Sequence, residues 1–209
     1  MWERIRLFSW KGKRTMNRND WEAANGHKGG VFWFTGLSGA GKTTLSRMAE
    51  KELLNRGIRC IVIDGDQLRQ GLNQDLGFSE NDRKENMRRA SEVAMMFLNA
   101  GFVVLVSMIS PSRTVRDKIR HRFQADEFAE VYVKCSLETC ERRDPKGLYQ
   151  KARTGEIQGF TGIDSIYEPP IRAELTINTE QESVENGMHA LVEFIIKNYA
   201  GSAQKERIL

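Results

Sequence analysis

The sequence predicts an α/β fold in which a five-stranded, mostly parallel sheet carries helices on both faces. From residue 30 onward, short runs of branched and aromatic residues alternate with longer stretches of helical pattern, as in a parallel sheet covered by helices. Gly57 and Gly101 each lie between a predicted helix and the next strand, where glycine commonly ends a helix. The third observation is a glycine-rich segment, residues 36–41, between the first strand and the first helix. Ligands of such sheets bind beyond the carboxyl ends of the strands.

The predicted elements follow one another in a regular order. The strands comprise residues 31–35, 59–63, 102–107, 130–134 and 175–178. The helices comprise residues 42–55, 82–100, 112–123, 137–143 and 181–198. Residues 144–168 show little helical or strand pattern and contain four glycines among Lys146, Lys151 and Arg153. Because a long irregular segment in a compact domain is typical of a lid or binding loop, this segment is predicted to be a lid.

Length and composition bound the domain organisation. The chain has 209 residues, of which 40% are hydrophobic, and this suits one domain, residues 29–200. Residues 1–28 carry seven basic and three acidic side chains without clean periodicity, so they are predicted to be a basic N-terminal arm. Its three tryptophans favour docking on the domain or on a second subunit, whereas a solvated basic tail is the alternative. Residues 201–209 are predicted to be a C-terminal tail.

Charge and cysteine content exclude several classes of protein. The formal net charge of +4 suits anionic ligands, and it does not favour binding to nucleic acid. The three cysteines are odd in number and include no C-x-x-C pair, which fits a reducing cytoplasm. No segment resembles an export signal or an apolar stretch that could cross a membrane. We therefore expect a cytoplasmic protein.

The pattern G-x-x-x-x-G-K-[ST] at residues 36–43 stands between an apolar strand and a helix, which is the context of a phosphate-binding loop. Main-chain amides and the positive end of the helix would point at phosphate oxygens. The Lys42 ammonium can reach the terminal phosphates, and the Thr43 hydroxyl can ligate magnesium. ATP and Mg²⁺ are therefore the predicted cofactors, and the predicted binding residues are Gly36, Leu37, Ser38, Gly39, Ala40, Gly41, Lys42, Thr43 and Thr44.

Two carboxylates, Asp64 and Asp66, come at the end of the second predicted strand. They could hold magnesium or accept the proton of an attacking hydroxyl group. The alternative is a simple helix cap, since aspartate is favoured at that position. Their place beside the phosphate loop favours the functional interpretation.

Further along the chain, Arg83 and Asn86 share one face of a predicted helix and could bind one anionic ligand. A solvated charged face is the alternative. Phe78 and Phe160 lie in polar, glycine-containing segments and could hold a purine between their rings, or could pack the lid on the domain. Ser110 could contact phosphate or substrate, or could be only a helix cap before proline. Lys146, with its neighbouring lid cations, could neutralise charge during phosphoryl transfer.

Taken together, these segments resemble the adenylylsulfate kinase family, whose members phosphorylate the 3′-hydroxyl of adenosine 5′-phosphosulfate (APS). The resemblance covers about residues 29–197. It is carried, in order, by residues 32–44, by Asp64, Gly65, Asp66 and Arg69, by residues 76–79 with Asp82, Arg83, Asn86, Arg88 and Arg89, by residues 109–111, by residues 144–149 with Lys151 and Arg153, and by residues 160–164 with Tyr167, Glu168 and Pro170.

The resemblance implies a P-loop kinase fold and a set of roles. It implies that Lys42, Asp64, Asp66 and Ser110 are catalytic, and that Thr43 and Asp64 lie at the metal. It implies that APS is bound by Asp66, Arg69, Phe78, Arg83, Asn86, Ile109, Ser110, Lys146, Leu148 and Phe160, with the two phenylalanines on either side of adenine. Members of the family are often described as passing through a phosphoserine, which here would be Ser110. Direct in-line transfer needs no such intermediate and is preferred.

Three departures from the family pattern concern the rim of the site, the arm and regulation. Ser112 stands where the family usually has tyrosine, Ile171 and Arg172 replace an acidic or amide pair, and residues 1–28 lack the usual tryptophan-histidine pattern. The alternatives to an APS kinase are a kinase of another metabolite or nucleotide and a catalytically silent nucleotide-binding module. The sequence leaves open whether the chain forms a homodimer or associates with a sulfurylase.

Overall fold

The fold is an α/β sandwich built on a five-stranded sheet, and the computed structural model describes it for residues 15–199. The strands are β1 (Gly30–Thr35), β2 (Cys60–Asp64), β3 (Val103–Ser107), β4 (Phe128–Lys134) and β5 (Leu175–Asn178). Their order across the sheet is β2-β3-β1-β4-β5, and every neighbouring pair is parallel. The predicted fold class is therefore confirmed.

Eight helices lie within the described residues. They are α1 (Arg18–Asn25), α2 (Lys42–Asn55), α3 (Gly65–Arg69), α4 (Glu80–Asn99), α5 (Arg113–Arg120), α6 (Leu137–Arg143), α7 (Leu148–Arg153) and α8 (Val184–Tyr199). No helix in this part of the chain has the length and apolar character that crossing a membrane would need.

Strand β1 is buried along its whole length and lies at the centre of the sheet. Phe32 and Phe34 point to one face, where they pack with apolar side chains of α2 and α8. Val31 and Trp33 point to the other face, where they pack with α4 and α5. Because successive side chains of a strand alternate between faces, this one apolar strand joins both halves of the core. Its carboxyl end, and the phosphate loop that follows, are fixed from both sides.

Most of the predicted element bounds are confirmed or nearly so. The helices predicted at residues 42–55 and 137–143 and the strand at 175–178 have the predicted bounds. Helix α4 begins two residues before its predicted start, because Ser79 caps it by accepting a hydrogen bond from the Asp82 amide. Helices α5 and α8 are shorter at their amino ends than predicted, and α5 also ends three residues earlier.

Three short helices were not predicted, and a polar side chain caps each of them. The side chain of Asn17 accepts from the Asp20 amide at the start of α1. Asp64 caps α3. In the predicted lid, the Asp144 carboxylate accepts hydrogen bonds from the amides of Tyr149 and Gln150 and so begins α7. Residues 144–168, which show little helical or strand pattern in the sequence, therefore contain one helix of six residues.

Helix α1 packs against the domain within the segment predicted to be an arm. Arg18 pairs with Glu127 next to β4, and the Asn25 amide donates to the carbonyl oxygens of Ala100 and Gly101 at the end of α4. Residues 1–14 and the predicted tail, residues 201–209, lie outside the described residues. The predicted bounds of arm, domain and tail stay predictions.

The buried imidazole of His27 links the starts of two strands. Its Nε2 accepts a hydrogen bond of 2.9 Å from the Arg59 amide, and its Nδ1 lies 2.8 Å from the Lys28 carbonyl oxygen. This pattern requires the neutral ring, with the proton on Nδ1. Burial lowers the pKa of His27, and the nearby Glu22 carboxylate only partly opposes that effect.

The lowered pKa of His27 predicts that the folded protein loses stability in mild acid. Because its folded-state pKa is lowered, the unfolded chain binds more protons, and the free energy of unfolding falls as the pH drops below about 6.5. Urea titrations between about pH 8 and pH 5.5 measure this slope. We expect a smaller slope for His27→Gln and an unchanged slope for His189→Gln, whose side chain is exposed. Equal slopes in the wild type and His27→Gln would contradict the assignment.

Candidate active site

The phosphate loop closes tightly between β1 and α2. A Cβ atom on Gly36 would lie 2.4 Å from the carbonyl oxygen of Val133 on β4, so only glycine lets the loop run this close to the neighbouring strand. Gly41, the residue before α2, has φ +102° and offers no side chain to cap the helix. The first amides of a 14-residue helix are therefore left for a ligand with oxygen acceptors.

The Lys42 ammonium lies buried under this loop. It donates hydrogen bonds to the carbonyl oxygens of Gly36 at 2.8 Å and Leu37 at 2.7 Å. Burial lowers its pKa to about 8, although Asp64 and Asp66 stabilise the charged form. A buried cation held mainly by carbonyl dipoles favours binding of an anion, because an anion offsets the cost of desolvating the charge.

Thr43, at the start of α2, meets Asp64 at the end of β2. The Thr43 hydroxyl donates to Asp64 Oδ2 at 2.9 Å, and its oxygen lies 3.5 Å from the Ser107 hydroxyl. The other carboxylate oxygen of Asp64 accepts from the Asp66 and Gln67 amides. Asp64 is thus a helix cap, as the alternative proposed, and its functional role beside the phosphate loop stays a prediction.

These oxygens fit a magnesium ion, which prefers carboxylate and hydroxyl ligands and keeps several waters. Within residues 15–199, no group of three or more histidine, cysteine or acidic side chains could hold a metal by itself. A metal at Thr43 and Asp64 would therefore complete its coordination with nucleotide oxygens and water, as is usual for magnesium in kinases.

Asp66 and Lys146 form an ion pair between α3 and the start of the predicted lid. Both side chains are more than half exposed, so solvent weakens the pair and its contribution to stability is small. The pair places an ammonium and a carboxylate beside the phosphate loop, where each can exchange its partner for a ligand. The other lid cations lie elsewhere: Arg153 pairs with Glu141 on α6, and Lys151 is exposed.

Arg69 and Phe78 contact each other at the edge of the site. The Arg69 guanidinium lies 4.4 Å from the centre of the Phe78 ring and donates to the carbonyl oxygens of Leu76 and Gly77. The Phe78 ring is 65% exposed, which leaves a face available to a flat ligand.

Arg83 connects this aromatic segment to the far end of the predicted lid. Its guanidinium donates to the Phe78 carbonyl oxygen, to the Thr161 hydroxyl at 2.5 Å and to the Gly159 carbonyl oxygen. Phe160, which lies between those last two residues, is buried, and its ring meets Tyr149 edge-on at 5.0 Å. The structure brings both aromatic segments together, and Phe160 packs the lid as the alternative proposed. A purine between the two rings stays a prediction.

The remaining predicted substrate residues are buried or nearly so. Asn86 accepts a hydrogen bond of 2.6 Å from Asn73, and Leu148, the first residue of α7, packs against the core. Ser110 is 2% exposed, and its hydroxyl oxygen accepts from the indole N–H of Trp33 at 2.8 Å. Helix α5 is preceded by Ser112 and not by Ser110, so the interpretation of Ser110 as a helix cap was wrong.

Five residues hold the site together although the sequence predicted no separate role for their side chains: Trp33, Thr35, Asn73, Arg116 and Tyr167. Trp33 and Thr35 lie in the first predicted strand. The signal that could have identified them is a polar atom within a fully buried strand, because such an atom needs a hydrogen-bond partner. Both donate to the loop after β3, residues 109–110.

A parallel sheet with a phosphate loop after its central strand, a hydroxyl group at the end of β3 and a carboxylate at the end of β2 is typical of P-loop nucleotide-binding enzymes, which include kinases. The model of the adenylylsulphate kinase family matches residues 28–178, which is more than half of the chain. The chain belongs to the adenylylsulfate kinase family.

Individual relatives agree with this assignment. The adenylyl-sulfate kinase of Geotalea uraniireducens is 51% identical over 187 residues, which is 90% of each chain. The solved structure of the Mycobacterium tuberculosis APS kinase CysC, in complex with AMPPNP and APS, superposes with a TM-score of 0.76 at 45% identity and covers 80% of this chain and 98% of that one. A hexameric APS kinase from Thiobacillus denitrificans has a TM-score of 0.62 at 26% identity, covering 83% of this chain and 30% of that one.

The buried Lys42 predicts that nucleotide affinity depends on pH. Because the free-enzyme pKa is about 8 and bound phosphate favours the charged form, affinity should fall above that pH by up to about tenfold per pH unit. Calorimetric titration with AMPPNP and Mg²⁺ from about pH 7 to pH 9.5 measures this. We expect Lys118→Ala, on an exposed face of α5, to follow the wild type. An affinity that does not change over the range would contradict the role of Lys42.

Proposed function

We propose that this chain transfers the γ-phosphoryl group of ATP to the 3′-hydroxyl of APS, giving 3′-phosphoadenosine 5′-phosphosulfate and ADP. The observation that carries the proposal is the contact between the phosphate loop and the loop after β3. The Ile109 carbonyl oxygen accepts hydrogen bonds from the Gly36 amide at 3.3 Å and from the Thr35 hydroxyl at 2.7 Å. The loop expected to bind the donor and the loop expected to bind the acceptor therefore touch, as in-line transfer requires.

The acceptor is an anion, and the cations around the site suit it. Arg69 contacts Phe78, Arg83 bonds the far end of the predicted lid, and Lys146 pairs with Asp66 beside the phosphate loop. Asn86 would add an amide. Guanidinium groups bind phosphate and sulfate oxygens through paired N–H donors. In this conformation Arg83 donates to protein oxygens, and a bound phosphosulfate would compete for those N–H groups.

The reaction forms one bond and breaks one. The 3′-oxygen of APS attacks the γ-phosphorus, the bond from that phosphorus to the β,γ-bridging oxygen breaks, and the hydroxyl proton passes to a carboxylate. Lys42 and the loop amides stabilise charge on the phosphoryl oxygens. A bound magnesium ion, at Thr43 and Asp64, would neutralise charge between the β- and γ-phosphates. Asp66, whose partner Lys146 is exposed and exchangeable, would orient the hydroxyl and accept its proton.

In this reaction Ser110, in the loop after β3, serves as a contact of the substrate and not as a nucleophile. Its hydroxyl is buried and accepts a hydrogen bond from the Trp33 indole, which fixes its position. Direct transfer also saves one step, since the phosphate loop and a positioned hydroxyl group suffice.

Magnesium as the metal, a location in the cytoplasm and a homodimer belong to this proposal. The APS kinase from Thiobacillus denitrificans is a hexamer, so an oligomer is known for a similar protein. Sedimentation of the purified chain, alone and with a sulfurylase, tests the homodimer and an association with a sulfurylase.

A coupled assay tests the proposed substrate. We expect ADP to form with ATP and APS together and not with ATP alone, because Arg69, Arg83 and Lys146 are the cations proposed to bind a second anion. Adenylate and gluconate are the matched alternative acceptors. ADP formation with gluconate or adenylate at the rate seen with APS would contradict the assignment and would favour a kinase of another metabolite.

The role of Ser110 is tested by removing its hydroxyl without straining the backbone. Ser110 has φ +49°, which glycine adopts freely, so Ser110→Gly is the suitable variant. We expect a loss of turnover below about tenfold and no phosphate on the wild-type serine in mass spectra of the quenched reaction. A covalent intermediate would instead predict a loss of about a thousandfold or more.

A further inference from the structure

A buried guanidinium binds the loop after β3, residues 109–110. Arg116, on the inner face of α5, is 3% exposed. Its Nη1 donates to the Ser110 carbonyl oxygen at 2.6 Å, and its Nη2 donates to the Glu168 carbonyl oxygen at 2.8 Å. One side chain therefore joins the loop after β3 to the end of the predicted lid.

The positive charge of Arg116 is paired with a carboxylate on strand β4. Its Nε donates to Glu130 Oε1 at 2.5 Å, and Glu130 lies on β4 directly opposite Trp33 of β1. Trp33 donates to the Ser110 hydroxyl oxygen. Two side chains at the same level of neighbouring strands thus fix Ser110, one directly and the other through Arg116.

The loop needs this support because of its backbone. Ser110 is one of two non-glycine residues with positive φ within residues 15–199, and a side chain in this region is strained unless its surroundings hold it there. Thr35 adds a hydrogen bond of 2.7 Å to the Ile109 carbonyl oxygen and lies 3.0 Å from the Tyr167 hydroxyl. The same contacts that hold the loop also hold the residue before Glu168.

We propose that Arg116 is a positioning residue that sets the affinity for APS by fixing residues 109–110 relative to the end of the lid. This inference rests on the proposed function. Arg116 acts through the main chain of Ser110 and Glu168 and does not touch the predicted nucleotide loop. Its replacement should therefore weaken APS binding and leave ATP binding nearly unchanged.

Lysine cannot replace this arginine. The three acceptors, the Ser110 and Glu168 carbonyl oxygens and the Glu130 carboxylate, are each bound by a different nitrogen of one planar group. A lysine has one nitrogen at the end of a flexible chain, so it cannot hold three acceptors in the same arrangement. A purely structural ion pair, in contrast, would need only a partner for Glu130.

The test compares Arg116→Lys, Arg116→Met and the double variant Arg116→Met with Glu130→Met. The double variant removes the carboxylate that the single variant leaves buried with only Arg120, at 3.7 Å, as a charged partner, so it restores stability but not the hydrogen bond to Ser110. Arg122→Met is the matched control, because Arg122 pairs only with the exposed Glu92 among the described contacts. Thermal melts establish folding, and steady-state kinetics give the KM for APS and for ATP separately.

We expect the KM for APS to rise about tenfold or more in all three Arg116 variants, while the KM for ATP changes less than about twofold. The Arg122→Met control should match the wild type. If Arg116→Met alone does not fold, the double variant decides.

Two outcomes overturn the inference, and they are distinguishable. A double variant with the wild-type KM for APS, measured beside an active wild type, shows that Arg116 is only structural. A rise in both KM values by the same factor has the same meaning. A wild-type chain that turns over no APS overturns the proposed function, and this inference with it.

Discussion

The arrangement of the site depends on one electrostatic constraint, which is the burial of the Lys42 ammonium at the carboxyl end of the central strand. Two loop carbonyl oxygens hold the ammonium, and burial lowers its pKa to about 8. The loop can keep this charge there because β1 is packed on both faces and because glycine lets the chain pass within reach of β4. A polyphosphate supplies the negative charge that would pair with the buried ammonium. The packing that buries Lys42 therefore also favours binding of phosphate.

Around this point, the fold brings together groups that are distant in sequence. Parallel strands end at one edge of the sheet, and this places Thr43 against Asp64 and Gly36 against Ile109. The lid reaches the same edge through Lys146 at its start and Glu168 at its end. Phosphoryl transfer requires little beyond positioning and neutralised charge, and this geometry supplies both.

The sequence predicted the sheet, the phosphate loop and the resemblance to the family because these depend on local patterns of few residues. It predicted the bounds of α2 and α6 to the residue but missed α7. That helix is capped by Asp144, four residues before its start, and the cap forms only when the folded loop brings the carboxylate to the amides of Tyr149 and Gln150. It also missed Trp33 and Arg116. Trp33 binds Ser110, which is 77 positions away in the chain, and Arg116 joins Ser110 to Glu168, which is 52 positions from Arg116. Only the fold brings these residues together.

The central claim is that Lys42 stabilises the transferring phosphoryl group. The most direct measurement is the turnover of ATP and APS by Lys42→Ala, with thermal melts to confirm that the variant folds. The account predicts a fall in kcat/KM of about a hundredfold to a thousandfold or more, because the cation that stabilises the developing charge is lost. A folded Lys42→Ala chain with turnover within about threefold of the wild type would contradict it.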